Sequence, residues 1–326
     1  MSHLFGPSLM LTMCAALACA TPTETLVARE RAEPPPAVPT TAAARGRVQV
    51  VDGQLLSDIS TPLRGLTLPV DTKWMLDDFH LMTTIAETTG LNTVHVFLEN
   101  QDIETGSKLA EADRLVALTA SAGLYMVLSY GGGAKPGEFK LEKLRAFWTT
   151  YAVRYASSTH VLYEIQNFPE ETCDDWVQPP TIAMERELYQ LIRGYAPDTH
   201  LMMFSTGAVP RGPVVEQAID AVSDVVDFGN ASFAMHTDVV CTPVPEIGSV
   251  VEAARAKHVP VLISALPPRG WPAVVQVAET AGVGWFHHNW LAFEPSLDTL
   301  FTAMRGTALG WCPDQGSYPG MPGGCP

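Results

Sequence analysis

The sequence predicts a closed (β/α)8 barrel. Three observations carry this: eight apolar runs of strand length, helix-like stretches between them, and a glycine where several of those helices should stop. Strands that are apolar throughout are buried on both faces, as in a parallel sheet covered by helices, and eight such units in about 260 residues suffice to close it. A doubly wound open sheet is the alternative, but no Gly-rich phosphate loop follows the first run.

Residues 1–20, MSHLFGPSLMLTMCAALACA, contain no Lys, Arg, Asp or Glu. Their apolar run, Leu4 to Ala20, is short for a spanning helix and ends in small residues, the pattern of a secretory signal. Ala16, Leu17, Ala18 and Cys19 loosely resemble a bacterial lipobox, in which Cys19 would be lipidated and tie the protein to a membrane. Simple cleavage after Ala18 or Ala20, or an uncleaved core segment, are the alternatives. Residues 21–46 include AEPPPAVPTTAAARG and lack apolar periodicity, so they read as an extended tether. Signal and tether together place the folded part outside the cytoplasm, as a secreted protein or a cell-surface lipoprotein.

Residues 47–310 form the barrel region. It opens with a hairpin pattern: Arg47 to Val51, an Asp52-Gly53 turn, then Gln54 to Ser57. The strand runs are 63–68, 92–98, 124–130, 161–167, 200–205, 231–236, 260–265 and 282–288. Between them, Leu144, Phe147, Trp148, Tyr151, Ala152 and Tyr155 recur at helical spacing, as do Leu188, Tyr189 and Ile192, and the Val250–Ala254 and Val274–Ala278 stretches. Gly90, Gly123 and Gly282 supply helix stops just before strands. The tail, 311–326, is rich in Gly and Pro. Outside the signal, the cysteines are Cys173, Cys241, Cys312 and Cys325; an even count in an oxidising compartment favours two disulfides, whose connectivity spacing alone does not fix. Cys312 with Cys325 would close the tail, and Cys173 with Cys241 would join the loops after the fourth and sixth strands. No C-x-x-C pair suggests thiolate zinc.

The chain has 326 residues, 47% of them apolar and 17% charged, enough for a sizeable core. Its formal net charge of -15 argues against nucleic acid or an anionic lipid surface as partner and suits a neutral ligand such as a sugar.

Barrel sites lie at the C-terminal strand ends. Those ends carry His95 and Glu99; Tyr130 with Gly131–Gly133; Gln166, Asn167 and Phe168; Thr206; His236 and Asp238; Ser264 and Ala265; and His287, His288 and Trp290. Several of the strands are similar to those of glycoside hydrolase family 5, the cellulase-like barrels. LRGLTL resembles the family's first strand, GLNTVHV its second, AGLYMVLSY its third, VLYEIQNFP its fourth, which ends in Asn-Glu-Pro, and PVLISA its seventh. The resemblance covers most of residues 47–295 and implies cleavage of glycosidic bonds by two carboxyl groups about 5–5.5 Å apart. Here the implied acid/base position holds Phe168 and the implied nucleophile position holds Ala265. The second-strand Arg falls on His95, the third-strand His on Gly131, the aromatic beyond the sixth-strand His on Asp238, and the sugar-stacking Trp on His288. Asn167 and His236 match.

Three readings follow. The leading one is a non-hydrolytic, pseudoenzyme-like carbohydrate-binding protein. Asn167, His236, His95, Asp238, His288, Tyr130 and Trp290 would contact a polysaccharide or oligosaccharide, and Trp176, Trp271 and Trp285 would be further stacking faces if they do not simply pack the core. The second is a glycoside hydrolase with relocated carboxylates, Glu99 or Glu170; the bland alternative for both is a loop carboxylate facing solvent. Glu164, inside the fourth strand, reads as a paired structural carboxylate. The third is a metal-dependent activity on His95, His236, Asp238 and His288, although no ligand motif spaces them and no cofactor is expected.

Overall fold

The computed structural model describes residues 45–68, 80–88, 90–131, 139–167, 177–208, 211–239, 244–266 and 271–287. The signal, almost all of the tether, all six cysteines and the tail lie outside these residues.

The predicted hairpin is present: β1 (Gln49–Val51) pairs antiparallel with β2 (Gln54–Leu56). Asp52 and Gly53 both take positive φ, 50° and 70°, the turn geometry whose twist matches that of the flanking strands. The chain then alternates strand and helix: β3 (Arg64–Leu68), α1 (His80–Thr88), β4 (Thr93–Glu99), α2 (Leu109–Ser121), β5 (Tyr125–Tyr130), α3 (Leu141–Tyr155) and β6 (Val161–Glu164). It continues with α4 (Pro179–Tyr195), β7 (Leu201–Ala208), α5 (Gly212–Val222), β8 (Ala231–Val239), α6 (Val244–Ala256), β9 (Val261–Leu266), α7 (Trp271–Ala281) and β10 (Gly284–His287). Strands β3 to β10 are parallel and close in chain order, β10 returning to β3. This is a (β/α)8 barrel.

Two layers make the core. The lumen floor is filled by Tyr125, Val127, Leu162, Met202, Ala234, Leu262 and Phe286, with Leu55 of the hairpin and Leu63 beneath them. The hairpin therefore plugs the bottom of the barrel. The second layer lies between strands and helices, where α3 buries the six residues whose spacing predicted it: Leu144, Phe147, Trp148, Tyr151, Ala152 and Tyr155. Gly90, Gly123 and Gly282 all have φ near +70° (71°, 68° and 66°), the left-handed turn that ends a helix at little cost for glycine.

Several boundaries differ from the sequence reading, the sixth strand, for example, running on to Val239. Arg45 and Gly46, assigned to the tether, are bound to the barrel: Arg45 pairs with Asp58, whose carboxylate also accepts the Gly46 N–H. The fourth strand ends at Glu164 rather than at 167, because its pairing with β7 stops at Glu164 opposite Met202 and the Trp148 indole takes the Ile165 carbonyl at 3.0 Å. The fifth runs on to Ala208 past register shifts against β8. Trp285, a candidate stacking face, is 2% exposed in the wall beneath α7, with its Nε1 donating to Glu279 Oε1 at 2.8 Å.

Candidate functional site at the barrel mouth

Above the apolar floor the lumen turns polar. Side chains on a strand alternate between faces, so the residues two positions beyond the floor project into the same space. On β6 this follows Leu162 with Glu164, and on β5 it follows Val127 with Ser129. Glu164 is fully buried, and three donors meet its two oxygens. His95 Nε2 donates to Oε2 at 2.7 Å, the Ser129 hydroxyl to Oε2 at 2.5 Å, and the Ser205 hydroxyl to Oε1 at 2.6 Å. His95 Nδ1 shares a 3.2 Å hydrogen bond with the Thr67 hydroxyl, and its ring packs edge-on against Phe97.

Burial alone would raise the Glu164 pKa. The His95 imidazole more than offsets this, with His236 and the Ser129 hydroxyl helping, and holds the carboxyl well below the usual range. Glu164 is thus an ion at neutral pH, occupied on both oxygens. It is paired, as its place inside the strand suggested.

Of the other candidates, Glu99 is 1% exposed and does not face solvent. Its Oε1 accepts from the Tyr151 hydroxyl at 2.5 Å, the Gly106 N–H at 2.8 Å and the Lys108 N–H at 3.2 Å. A register shift against β5 between Phe97 and Glu99 accompanies this turn toward α3, which breaks the alternation that would have aimed Glu99 into the lumen. Glu99 fastens the loop between β4 and α2 to α3. Tyr130 is 2% exposed, with its ring edge-on to Phe147 at 5.1 Å in that same outer layer, so its face is not offered to the mouth.

Asn167 is buried at the end of the β6 segment, its N–H donating to the Tyr130 carbonyl at 2.9 Å. His236 is fully buried on β8 and stands in register with Ala265 on β9, also fully buried, where the pairing shifts. The structure thus brings His95, Glu164 and His236 together, with Ala265 beside His236. Phe168, Glu170, Trp176, His288 and Trp290, and the side chains of Asp238 and Trp271, lie outside the described residues. Among the described residues, no three His, Cys, Asp or Glu side chains come together as metal ligands.

Sequence reasoning passed over Thr67, Ser129 and Ser205. Alternation from Val127 would have found Ser129. Nothing in the sequence announces Ser205, because its direction depends on an irregularity in β7.

The backbone matches solved glycoside hydrolases. The catalytic domain of endoglucanase Cel5A from Thermobifida fusca superposes with a TM-score of 0.58 at 17% identity, covering 74% of this chain and 84% of that one. The fold is that of the family 5 barrels. The β-glucanase SdGluc5_26A from Saccharophagus degradans, in complex with cellotetraose, gives a TM-score of 0.61 at 15% identity over 84% of this chain and 97% of that one. The mannohexaose complex of the Thermomonospora fusca β-mannanase gives 0.59 at 19% identity, over 75% and 84%. No protein-family model and no curated protein sequence matches the chain. At these identities the family 5-like barrel is a statement about fold, and what the mouth does rests on its own residues.

Proposed function

We propose that this barrel binds carbohydrate at its C-terminal mouth without hydrolysing it. One observation carries the reading: Glu164, the carboxylate that enters the described lumen, is saturated by His95, Ser129 and Ser205. A glycosidase needs one carboxyl group free to protonate the leaving oxygen and a second to attack or to activate water. Glu164 can do neither while buried and triply bonded. Glu99 is committed to Tyr151 and the loop amides, and Ala265 offers no nucleophile. Phe168 at the implied acid position and His288 at the implied stacking position support the same conclusion from sequence. The likeness to barrels solved with cellotetraose and mannohexaose bound supports a glycan as the ligand class. Asn167 and His236 are the residues proposed to hydrogen-bond it, and Asp238, His288 and Trp290 are proposed with them from sequence alone.

The signal and tether support an extracytoplasmic location, with lipidation at Cys19 as the anchored form. A glycan-array measurement on the purified barrel, run beside a reducing-sugar assay on β-glucans and mannans, tests the proposal. Glycan binding with no released reducing ends is expected. Release that disappears in Glu170→Gln would replace it with the relocated-carboxylate enzyme.

A further inference from the structure

Strand β7 carries a backbone irregularity with a consequence for the lumen. Phe204 has φ +54°, a left-handed conformation that is rare and costly for a bulky side chain. Alternation fails there. Met202 faces the lumen, Met203 faces the helices, and Phe204 faces the helices as well. The pairing with β8 shifts between Met203 and Thr206, so Phe204 sits in a β-bulge. Without the bulge Phe204 would enter the lumen; with it, Ser205 enters and bonds Glu164.

The bulge has a dedicated partner. The Phe204 N–H, which leaves the strand ladder, donates to Glu185 Oε1 on α4 at 2.9 Å. Glu185 is fully buried, and its Oε2 has no hydrogen-bond partner among the described residues. An ionised carboxylate there would keep one lone N–H bond against the loss of its hydration, a poor exchange.

We propose that Glu185 is a positioning residue: as a neutral carboxyl group it holds the β7 bulge and so delivers Ser205, in place of Phe204, to Glu164, and its ionisation loosens α4 from β7. The inference stands whether or not the mouth binds sugar. Burial pushes the Glu185 carboxyl up to about 8 against the opposing pull of the Phe204 N–H, with a smaller upward push from the negative charge of Glu164 on β6. Among the described residues, Glu164 is the charge that acts on it. Residues 201–208 of β7 carry no titratable side chain. The Arg145–Glu187 pair between α3 and α4, and the Arg186–Asp224 pair beyond α4, lie at the surface, and Glu216 and Asp220 of α5 are exposed.

The sign follows from the raised value. The folded chain keeps a proton that the unfolded chain has already released, so this stability is complete below about pH 4.5 and is lost progressively as pH rises toward 8. Thermal unfolding of the full chain, followed from pH 5 to 9, tests it with two variants. Glu185→Gln keeps a neutral acceptor, so the fall in melting temperature between pH 5 and 8 should shrink while the fold persists. Glu185→Leu removes the acceptor and should unfold at lower temperature at pH 5, with Phe204 turned into the lumen in its crystal structure. If wild type and Glu185→Gln show the same pH profile, the protonation role is overturned. A Glu185→Leu crystal structure with Ser205 still on Glu164 would overturn the positioning role. Should the Leu variant fail to fold, Glu185→Met, of similar length and also without an acceptor oxygen, takes its place in the crystal-structure test, and the Gln comparison still decides the protonation role.

Discussion

His95, Ser129 and Ser205 converge on two carboxylate oxygens in a space that excludes water, and the consequences for Glu164 can be measured. Breaking a buried pair by removing one partner strands the other charge, at a cost of about 3–5 kcal/mol. His95→Ala should therefore destabilise the barrel by roughly that amount in denaturant unfolding at pH 7. Glu164→Gln should cost less, because it leaves no carboxylate to strand. The pH dependence is opposite in sign to that of Glu185. The folded pKa of Glu164 is depressed, so its contribution is complete above about pH 4.5 and is lost as pH falls below it. Acid unfolding of Glu164→Gln should show a weaker dependence in that range than wild type. From sequence, Glu164 could be read as paired because a carboxylate inside a fully apolar strand has few other options. Glu99 could not be placed, since the register shift beside it leaves no mark in composition or spacing.

At the scale of elements, the apolar runs and glycine stops located every strand of the barrel, because parallel strands buried on both faces are written mostly in apolar residues. The glycines of the strands carry a second message. A Cβ at Gly284 would lie 2.5 Å from Leu262 Cδ1 and 2.8 Å from the Leu63 carbonyl, where β10 meets β3 and β9. Backbone cannot yield there as a side-chain tip can, so Gly284→Ala should cost about 1–3 kcal/mol through overpacking. Gly194, exposed near the end of α4, has nothing within 4 Å of its added Cβ. Gly194→Ala should leave stability unchanged or raise it by up to about 1 kcal/mol, since alanine is the better helix former. Chemical denaturation of the two variants against wild type separates these outcomes. The bulge of β7 had no such signal. It goes with a carboxyl that α4 offers to the Phe204 N–H, and that is known only once the layers are packed.

Taken whole, the described barrel shares its fold with solved glycoside hydrolases, and the carboxylate in its described lumen, Glu164, is taken up by internal hydrogen bonds. The chain's acidity suits a neutral ligand, and a barrel mouth is where such a fold presents one. A positioned general acid is worth about 10²–10⁴ in rate, so on the proposed reading, with Phe168 and Ala265 at the implied acid and nucleophile positions, hydrolysis should stay at background. Replacing both Phe168 and Ala265 by Glu should restore little, because the implied neighbours, His95, Gly131, Asp238 and His288, differ too. The most direct measurement combines titration of the wild-type barrel with cello- and manno-oligosaccharides and reducing-sugar detection in the same samples. Saturable binding with no product above background is the expected result. Turnover in the ordinary enzyme range of about 1–10³ s⁻¹, abolished by Glu170→Gln or Glu99→Gln, would contradict it.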